Sequence, residues 1–513
     1  MMKAGISGRS AVALAGAAAL TFTALSARAA DEPKSELRSG GSLSISIESD
    51  LPTLDVSGLA SFNDREAGIL LYDTLLDLDS KGRIIPNLAE KLEAAPDATW
   101  FKVTLHKDVK FTDGTPLDAD AVVAHFKRML DPKTRFRFVS DLASLASVEA
   151  TGPLEVTFKM KSPSAPFPAV LSDIAGMIES SAAVAKYGED IGKNPVGSGP
   201  FLLKEWQRGA QIVFARNPNY WKKPAYLDEV ILKPMPDEQS RYASLKAGNL
   251  DVIMNAAPRD VLDARNEKKF TVIDPGSLGT NFVMINTAAP DVADVRVRQA
   301  MAYALDRDAL NKAINKGLFQ VANTVFGTGL SPHELVDGYP NYDPAKAKQL
   351  LADYGKPVKL KLSVNASPIN VLTGQALQQM WKRVGIETDI DQLEQIQLIR
   401  AAGLKDYQVM LYRWAGGADP DKNVYQFFQS SGAMNRVSYK NPDLDKILDD
   451  ARATTNPEAR LELYRQVNNI LARDLPYILL SYFDNYALVN PAVKGVVPVP
   501  DGLLRLGTVW KEK

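Results

Sequence analysis

The segment 358–390 constrains the fold of this chain more than any other. Apolar and polar residues alternate strictly over 358–365, which is the period of a β-strand. Residues 369–384 then have helical character, Gly385 closes them, and a second alternating run follows over 386–390. A strand, a helix and a strand with short joints form a right-handed βαβ unit. We therefore predict an α/β fold whose C-terminal half contains a parallel, doubly wound sheet, with ligands bound beyond the carboxyl ends of its strands.

Length and composition exclude several classes of protein. A chain of 513 residues with 45% hydrophobic residues predicts several packed domains or one elaborated two-lobed body. A formal net charge of −1 leaves no basic surplus for neutralising phosphates, which argues against nucleic-acid binding. The chain has no cysteine, and this excludes disulfides, zinc–thiolate sites, iron–sulfur clusters and cysteine nucleophiles.

The first thirty residues have the features of an export signal. Lys3 and Arg9 provide a positive start, residues 11–25 are apolar, and 27–29 form a small-x-small cleavage site. We expect cleavage after Ala29, giving a signal peptide at 1–29. The apolar run is shorter than the roughly 20 residues that a membrane span needs. A lipid anchor would need a cysteine, so we expect a soluble protein located in the periplasm.

Other local patterns place the remaining elements. An extended strand is predicted over 100–111, and a helix is predicted from Asp118 to the Asp131–Pro132 stop. Further helices are predicted from near Asp294 and over 345–354. An extended run over 407–414 leads directly into the loop 415–421. Because this loop follows a strand at the expected binding edge of the sheet, it is the first candidate for a ligand surface.

Catalytic motifs are missing from the sequence. There is no G-x-S-x-G elbow, S-x-x-K pair, P-loop or H-E-x-x-H segment. The three histidines, His106, His125 and His333, are at least 19 positions apart, and we interpret them as structural, in a strand, a helix and a loop respectively. We therefore predict that the protein is not an enzyme, and that it has no catalytic residues, no metal site and no cofactor.

Seven stretches together resemble the large periplasmic substrate-binding proteins of the peptide/nickel class of ABC importers, the oligopeptide/dipeptide-type family 5. They occur in the family's order, between about residues 40 and 485. The stretches are WFKVTL to DADAV at 100–122, NPVGSGPF at 194–201, NPNYW at 217–221, LKAGNLD at 245–251, DVRVRQA at 294–300, YDPAKA at 342–347 and WAGGADPD at 414–421.

The resemblance implies a two-lobed periplasmic binding protein fold with an extra α/β domain inserted in the first lobe. Lobe I would comprise 30–76, 193–270 and 484–513, the extra domain 77–192, and lobe II 271–483. Two crossing segments, near 272–279 and 480–488, would join the lobes. Ligand binding would close the lobes by a hinge motion.

The loop that follows Trp414 carries the main specificity hypothesis. In relatives that take free peptides, an aspartate shortly after Trp-x-Gly pairs with the amino group of the peptide. Here Gly417 stands at that place and Asp419 comes two residues later. Either Asp419 reaches an amine or the ligand lacks a free amine, and a turn or capping role for Asp419 is the alternative.

The other candidate ligand-binding residues are chosen by position. Arg413 is predicted to bind a carboxylate, with a salt bridge at the sheet edge as the alternative. Tyr412 and Trp414 are predicted to stack on a ligand, unless they pack in the core. The remaining candidates lie at a helix start, after a strand or near a predicted crossing; they are Asn63, Arg65, Asn255, Ser277 and Asn281.

The resemblance implies a monomeric solute-binding protein that delivers a peptide or peptide-like ligand to an ABC permease and its ATPase subunits. Opine, glycoside and nickel-chelate ligands stay open within this class. Two alternatives come from other classes of protein. A secreted hydrolase would need a close, buried carboxylate pair and substrate turnover. A periplasmic chaperone would need an exposed apolar groove in place of an enclosed cavity.

Overall fold

The computed structural model describes residues 39–334, 336 and 338–512. The predicted signal peptide at 1–29 lies outside the described residues. None of the helices in this described part of the chain combines the length and the apolar character needed to cross a lipid bilayer.

The described residues form twenty strands. In chain order they are β1 (Ser42–Ile47), β2 (Leu76–Leu78), β3 (Ile84–Pro86), β4 (Ala89–Ala94), β5 (Trp100–Leu105), β6 (Leu145–Gly152), β7 (Glu155–Met160), β8 (Phe201–Gln207), β9 (Gln211–Arg216), β10 (Glu229–Pro234), β11 (Val252–Ile253), β12 (Thr271–Ile273), β13 (Gly279–Ile285), β14 (Val358–Asn365), β15 (Ile386–Leu393), β16 (Val409–Trp414), β17 (Tyr477–Phe483), β18 (Ala487–Val489), β19 (Val493–Lys494) and β20 (Trp510–Lys511).

The same part of the chain forms fourteen α-helices. In chain order they are α1 (Phe62–Leu71), α2 (Ala119–Leu130), α3 (Phe167–Leu171), α4 (Ser181–Tyr187), α5 (Glu238–Lys246), α6 (Pro258–Glu267), α7 (Val295–Tyr303), α8 (Arg307–Asn315), α9 (Pro344–Tyr354), α10 (Pro368–Lys382), α11 (Gln395–Leu404), α12 (Asp421–Phe428), α13 (Pro442–Arg452) and α14 (Pro457–Asp474).

Two large sheets organise the molecule. The first has seven strands in the order β12-β18-β11-β1-β10-β9-β8, and the second has five in the order β15-β14-β16-β13-β17. Apolar side chains around the two sheets pack into separate core clusters. The chain passes from β12 in the first sheet to β13 in the second through residues 274–278, and it returns from β17 to β18 through 484–486. The molecule therefore has two lobes joined by two crossing segments.

The predicted βαβ unit is confirmed. The first strand, β14, spans Val358–Asn365, α10 crosses over it, and β15 pairs with β14 in parallel register. The crossover helix packs closely on the sheet because Gly374 leaves room, since a Cβ atom there would lie 3.0 Å from Val364 Cγ1. Helix α9 before the unit ends at Gly355, whose φ of 77° is the left-handed conformation that glycine adopts without strain.

The second sheet differs from the wholly parallel arrangement that we predicted. Strand β14 is parallel to β15 and β16, but β13 is antiparallel to both β16 and β17. The reason lies in the crossing. Strand β13 enters the sheet at the edge where its neighbours end, so it must run in the opposite direction.

A third sheet of four antiparallel strands, in the order β4-β5-β7-β6, carries helix α2. The strand predicted over 100–111 is too long, because β5 ends at Leu105. A turn follows in which Asp108 has a φ of 63°, and this left-handed conformation cannot continue a strand. As a result, His106 lies just after the strand and not within it.

A buried ionic network joins this third sheet region to the loop before α1. Arg128 of α2 donates to Glu179 Oε2 at 2.6 Å and to Asp55 Oδ2 at 2.7 Å. Tyr72 donates its hydroxyl to Glu179 Oε1 at 3.0 Å. Glu179 is 1% exposed, and burial, with the nearby Asp55 carboxylate, raises the pKa of Glu179 to about 8. The guanidinium of Arg128 therefore donates a hydrogen bond to both acidic side chains of the network.

Glu66 gives a testable pH dependence. Its side chain is completely buried, Oε2 accepts a hydrogen bond from the Leu504 amide at 3.0 Å, and burial raises the pKa of Glu66 to about 8. A pKa that is higher in the folded than in the unfolded chain gives stability that is present at low pH and lost as the pH rises toward 8. Glutamine resembles the protonated form and does not titrate. We compare the unfolding free energy of Glu66→Gln with that of wild type. The difference, variant minus wild type, should increase by about 1.4 kcal/mol per pH unit between about pH 5 and pH 8. Urea titrations at several pH values measure it, and a difference that stays constant with pH would contradict it.

Candidate functional site at the facing sheet edges

The strands of the second sheet end at one common edge. Strands β14, β15, β16 and β17 run in the same direction, so their last residues share this edge with the first residue of β13; these are Asn365, Leu393, Trp414, Phe483 and Gly279. Both crossing segments leave the sheet here. In open α/β sheets, ligands bind outside the carboxyl ends of the strands.

The first sheet has a corresponding edge. Strand β1 is parallel to β10 and β11, while β18 is antiparallel to β11 and β12. Strands β1, β10, β11 and β12 therefore all end where the chain leaves for the second lobe. Asn255 follows β11 at this edge, and the Ala256 amide beside it donates to the Tyr486 carbonyl of the returning crossing at 2.9 Å.

Two predicted residues at these edges carry buried polar atoms that have no hydrogen-bond partner. They are the Nε1 atom of Trp414 and the Oδ1 atom of Asn255. The Trp414 ring packs edge-on against Phe427 at 4.9 Å, which fixes its orientation. Asn255 has a φ of 51°, a conformation that asparagine tolerates better than most residues. An unsatisfied buried donor or acceptor costs stability, and at the edge where ligands bind in such sheets each of these two atoms is available to a further group.

Three other candidate ligand-binding residues form hydrogen bonds to other residues of the protein. The Ser277 hydroxyl lies 2.5 Å from the Phe483 carbonyl oxygen and accepts from the Phe483 amide at 3.1 Å, so it fastens one crossing segment to the end of β17. Asn281 donates to the Ser481 hydroxyl at 3.1 Å. Tyr412 accepts a hydrogen bond from Arg436 at 2.9 Å.

Arg413 is exposed and stacks on the Phe483 ring, with its guanidinium carbon 4.7 Å from the ring centre. It lies opposite Asn281 in the register of β16 and β13, and Asn281 in turn lies opposite Ser481 of β17. These three side chains therefore form a polar row across neighbouring strands.

The start of α1, the helix that contains the candidates Asn63 and Arg65, lies near the returning crossing. A Cβ atom on Gly502 would lie 3.1 Å from Phe62 at the start of α1 and 3.2 Å from Asn485. Asn63 is buried in this first turn. Arg65 forms an ion pair with Asp173 at 3.1 Å, so its charge is compensated within the protein.

The loop after Trp414 is anchored against the first crossing. Gly416 has a φ of 80°, and a Cβ atom there would lie 1.9 Å from the Leu278 carbonyl oxygen, so no other residue fits. Asn423 donates to the Leu278 carbonyl at 2.7 Å and accepts from the Gly417 amide at 3.2 Å. The loop and the crossing segment therefore have fixed positions relative to each other.

Both aspartates of this loop are bound by arginines. Asp419 receives two hydrogen bonds from Arg460, each 2.8 Å long. Asp421 receives two from Arg452, at 2.8 and 2.7 Å. Both carboxylates are buried, and burial raises the pKa of Asp421 although Arg452 opposes the shift. A ligand role for Asp419 stays a prediction, and an amine would have to share this carboxylate with Arg460.

Asp484 is a residue of this region that the sequence analysis missed. It lies in the returning crossing segment, and burial, with the neighbouring Asp274 carboxylate, raises the pKa of Asp484 to about 7. The sequence offers no signal for it, because an aspartate after a strand is common and only the tertiary structure shows its burial.

The three histidines lie outside the strands of both large sheets. His125 of α2 is buried, its Nε2 lies 3.2 Å from the Ala175 carbonyl, and burial lowers its pKa to about 4. His106 packs against the Trp221 ring at 5.1 Å. His333 lies in a short 3₁₀ helix, Ser331–Glu334, where we predicted a loop. Among the described residues, no three His, Asp or Glu side chains cluster with the spacing of a metal site.

Comparison with known proteins gives relatives over nearly the whole chain. Heme-binding protein A of Haemophilus influenzae is 29% identical over 486 residues, covering 88% of this chain and 88% of the relative. The dipeptide-binding protein of Escherichia coli is 27% identical over 471 residues, covering 85% and 88%. Both relatives are named as binding proteins.

A solved structure supports the same relationship. The oligopeptide-binding protein AppA from Bacillus subtilis, in complex with a nonapeptide, superposes with a TM-score of 0.78 at 26% identity, covering 93% of this chain and 100% of AppA. This similarity confirms the predicted fold class. The pattern of the family described as "Bacterial extracellular solute-binding proteins, family 5 Middle" matches residues 83–436, most of the chain. The resemblance predicted from the sequence is thereby confirmed, and the chain belongs to the family 5 bacterial extracellular solute-binding proteins.

Proposed function

We propose that this protein captures a peptide-like solute between its two lobes, at the facing edges of the two large sheets, and delivers it to the permease of an ABC importer. Solute binding itself follows from membership of the family. The observation that carries the location is the pair of unpartnered atoms, Trp414 Nε1 and Asn255 Oδ1, one at each sheet edge. A peptide-like solute offers both the acceptor and the donor that these two atoms need.

Arg413 supports recognition of a carboxylate in the same solute. Its guanidinium is exposed at the end of β16, and an ion pair with a carboxylate can be bidentate. Solvent competes with such a pair until the lobes close, and exclusion of water then strengthens each polar contact. The proposed ligand contacts are therefore Trp414, Asn255 and Arg413, with Asn281 beside Arg413 in the polar row.

The place of action and the partners are part of the proposal. Cleavage of the predicted leader would release the protein into the periplasm as a soluble monomer, where its partners would be a membrane permease and the ATPase subunits of that permease. The alternatives from other classes, a hydrolase and a chaperone, have no specific observation in their favour.

The experiment is a thermal-shift screen of the mature protein after unfolding, removal of co-purified ligand and refolding. The panel contains di- to pentapeptides with and without N-terminal acetylation, glutathione, heme, opines, oligosaccharides, and nickel with and without histidine. A ligand present at about 100 times its Kd stabilises the folded protein by about 2.7 kcal/mol, which a melting curve resolves. We expect at least one peptide-like compound to raise the melting temperature.

Trp414→Phe is the variant for this screen, because it keeps an aromatic ring next to Phe427 while it removes the indole N–H together with the five-membered ring. In the ligand-free variant, removal of a buried unsatisfied donor, which costs about 1–3 kcal/mol, offsets part of the packing lost with the smaller side chain. Its affinity for the compound that binds should fall by about tenfold, the value of one hydrogen bond to a partner that has been taken out of water. Equal affinity in the two proteins would remove Trp414 from the site, and a panel without any shift would oppose the peptide-like ligand.

A further inference from the structure

One ion pair connects the third sheet region, on the side of the first lobe, with the second lobe. Asp141 lies in a short 3₁₀ helix, Val139–Leu142, between α2 and β6. Lys422 lies in the first turn of α12, directly after the loop that follows Trp414. Their side chains form an ion pair, although 281 positions separate them in the sequence. The Lys422 side chain is only 19% exposed and that of Asp141 only 12%. Water therefore screens this pair less than a surface pair.

The loop leaves room for this lysine. A Cβ atom on Gly417 would lie 2.7 Å from Lys422 Cβ and 2.8 Å from Lys422 Cγ, which is closer than carbon atoms can approach. The stem of Lys422 therefore packs over the bare backbone of Gly417, and any side chain at 417 would push it away. The two neighbouring aspartates cannot compete for the ammonium group on equal terms, because Arg460 and Arg452 bind them.

Two backbone hydrogen bonds accompany the ion pair. The Ala165 amide donates to the Arg452 carbonyl at 3.0 Å, and the Thr455 amide donates to the Pro96 carbonyl at 3.1 Å. These contacts also join the third sheet region to the second lobe. Each of these hydrogen bonds can form only when the two surfaces meet. The ion pair is the one charged contact among the three.

We propose that Lys422 and Asp141 form a latch that holds the two lobes closed, and that glycine is required at 417 so that the latch can form. The inference rests on the proposed function only in taking closure of the lobes as the step that captures the solute. An attraction made only in the closed form shifts the open–closed equilibrium toward that form. The Lys422 side chain provides the ammonium group of this contact. A solute therefore does not need an ammonium group of its own for the lobes to close here.

The test uses the absence of cysteine from the chain. Pro96→Cys and Thr455→Cys introduce two thiols at residues whose backbones are hydrogen-bonded across the lobes, within the reach of a disulfide. The rate at which this reporter disulfide forms in ligand-free protein under mild oxidation measures how often the lobes close. We expect Lys422→Met to slow its formation by a factor between about two and five, the effect of losing a partly buried ion pair.

Three further variants complete the test. Lys440→Met removes an exposed lysine from the same lobe and should leave the rate unchanged. Gly417→Ala should slow the reporter as Lys422→Met does, because it displaces the lysine stem. Exchanging the two charges, Lys422→Asp with Asp141→Lys, should restore a large part of the rate.

Two outcomes would overturn the latch. One is an equal rate in wild type and Lys422→Met. The other is a reporter that forms no disulfide in either protein, since the lobes would then not meet at this place. Neither outcome depends on finding the ligand, so failure of the latch and failure of the proposed solute are distinguishable.

Discussion

Replacing Asp419 by alanine is expected to lower the free energy of unfolding by about 3–5 kcal/mol, the usual cost of removing one partner from a buried ion pair. Asp419 is 5% exposed and accepts two hydrogen bonds from Arg460, whose guanidinium also donates to the Tyr464 hydroxyl at 2.9 Å. Without the Asp419 carboxylate, the buried guanidinium of Arg460 has only neutral hydrogen-bond partners, the Tyr464 hydroxyl and the Ala451 carbonyl. Urea unfolding followed by circular dichroism measures the loss.

Asp450→Ala is the matched control for this change. Its partner Lys446 lies one helical turn away, and the two side chains are 47% and 75% exposed. Exposed pairs contribute about 0–1 kcal/mol, so the control should unfold almost like wild type. If Asp419→Ala lost no more stability than this control but lost affinity for the ligand, Asp419 would be a ligand contact and not part of the scaffold.

Replacing Arg128 by alanine is the second change with a large expected effect. Arg128 compensates Glu179 and Asp55, and its removal leaves Glu179 buried with no cation within the network. We expect a loss of about 3–5 kcal/mol in unfolding free energy at pH 8. Lys127→Ala, which changes the exposed neighbour on the same helix, is the control and should cost less than about 0.5 kcal/mol.

The pH dependence of this variant separates a charge effect from lost packing. Burial already raises the pKa of Glu179 to about 8, and removing the cation raises it further. A carboxyl group whose folded pKa lies above the unfolded value loses stability as the pH rises through the folded pKa. Wild type stops losing stability once Glu179 ionises near pH 8, whereas the variant continues to lose it, so the penalty of Arg128→Ala should be smaller at pH 7 than at pH 9. A penalty independent of pH would indicate that the guanidinium acts only through packing.

Regular local patterns predicted elements well. The alternation over 358–365 matches β14, and helix α2 has Asp118 and Asp131 as its caps, as the sequence indicates. These signals are contained within a few neighbouring residues, so they depend little on distant contacts. The strand predicted over 100–111 failed because the apolar residues continue beyond a turn that only the backbone conformation of Asp108 reveals.

The partners of the candidate site could not be predicted in the same way. The loop at 414–421 was found from its position after a strand, but Asp421 binds an arginine 31 positions later and Asp419 one 41 positions later. The sequence contains 60 lysines and arginines, and no local rule selects one of them. The pairing of Lys422 with Asp141 is more distant still, because it depends on how the lobes meet.

The position of β18 has a consequence for the order in which this protein acquires its structure. This strand of three residues pairs with β11 on one side and β12 on the other, so it joins two parts of the first sheet that do not pair with each other. Its residues, Ala487–Val489, come after the whole second lobe in the chain. A ribosome making this protein must therefore finish nearly the entire chain before either large sheet can be completed, because β17 of the second sheet ends at Phe483 and β18 of the first sheet ends at Val489. Contacts of such long sequence separation slow folding, so the first lobe gains no lead in stability from being synthesised first.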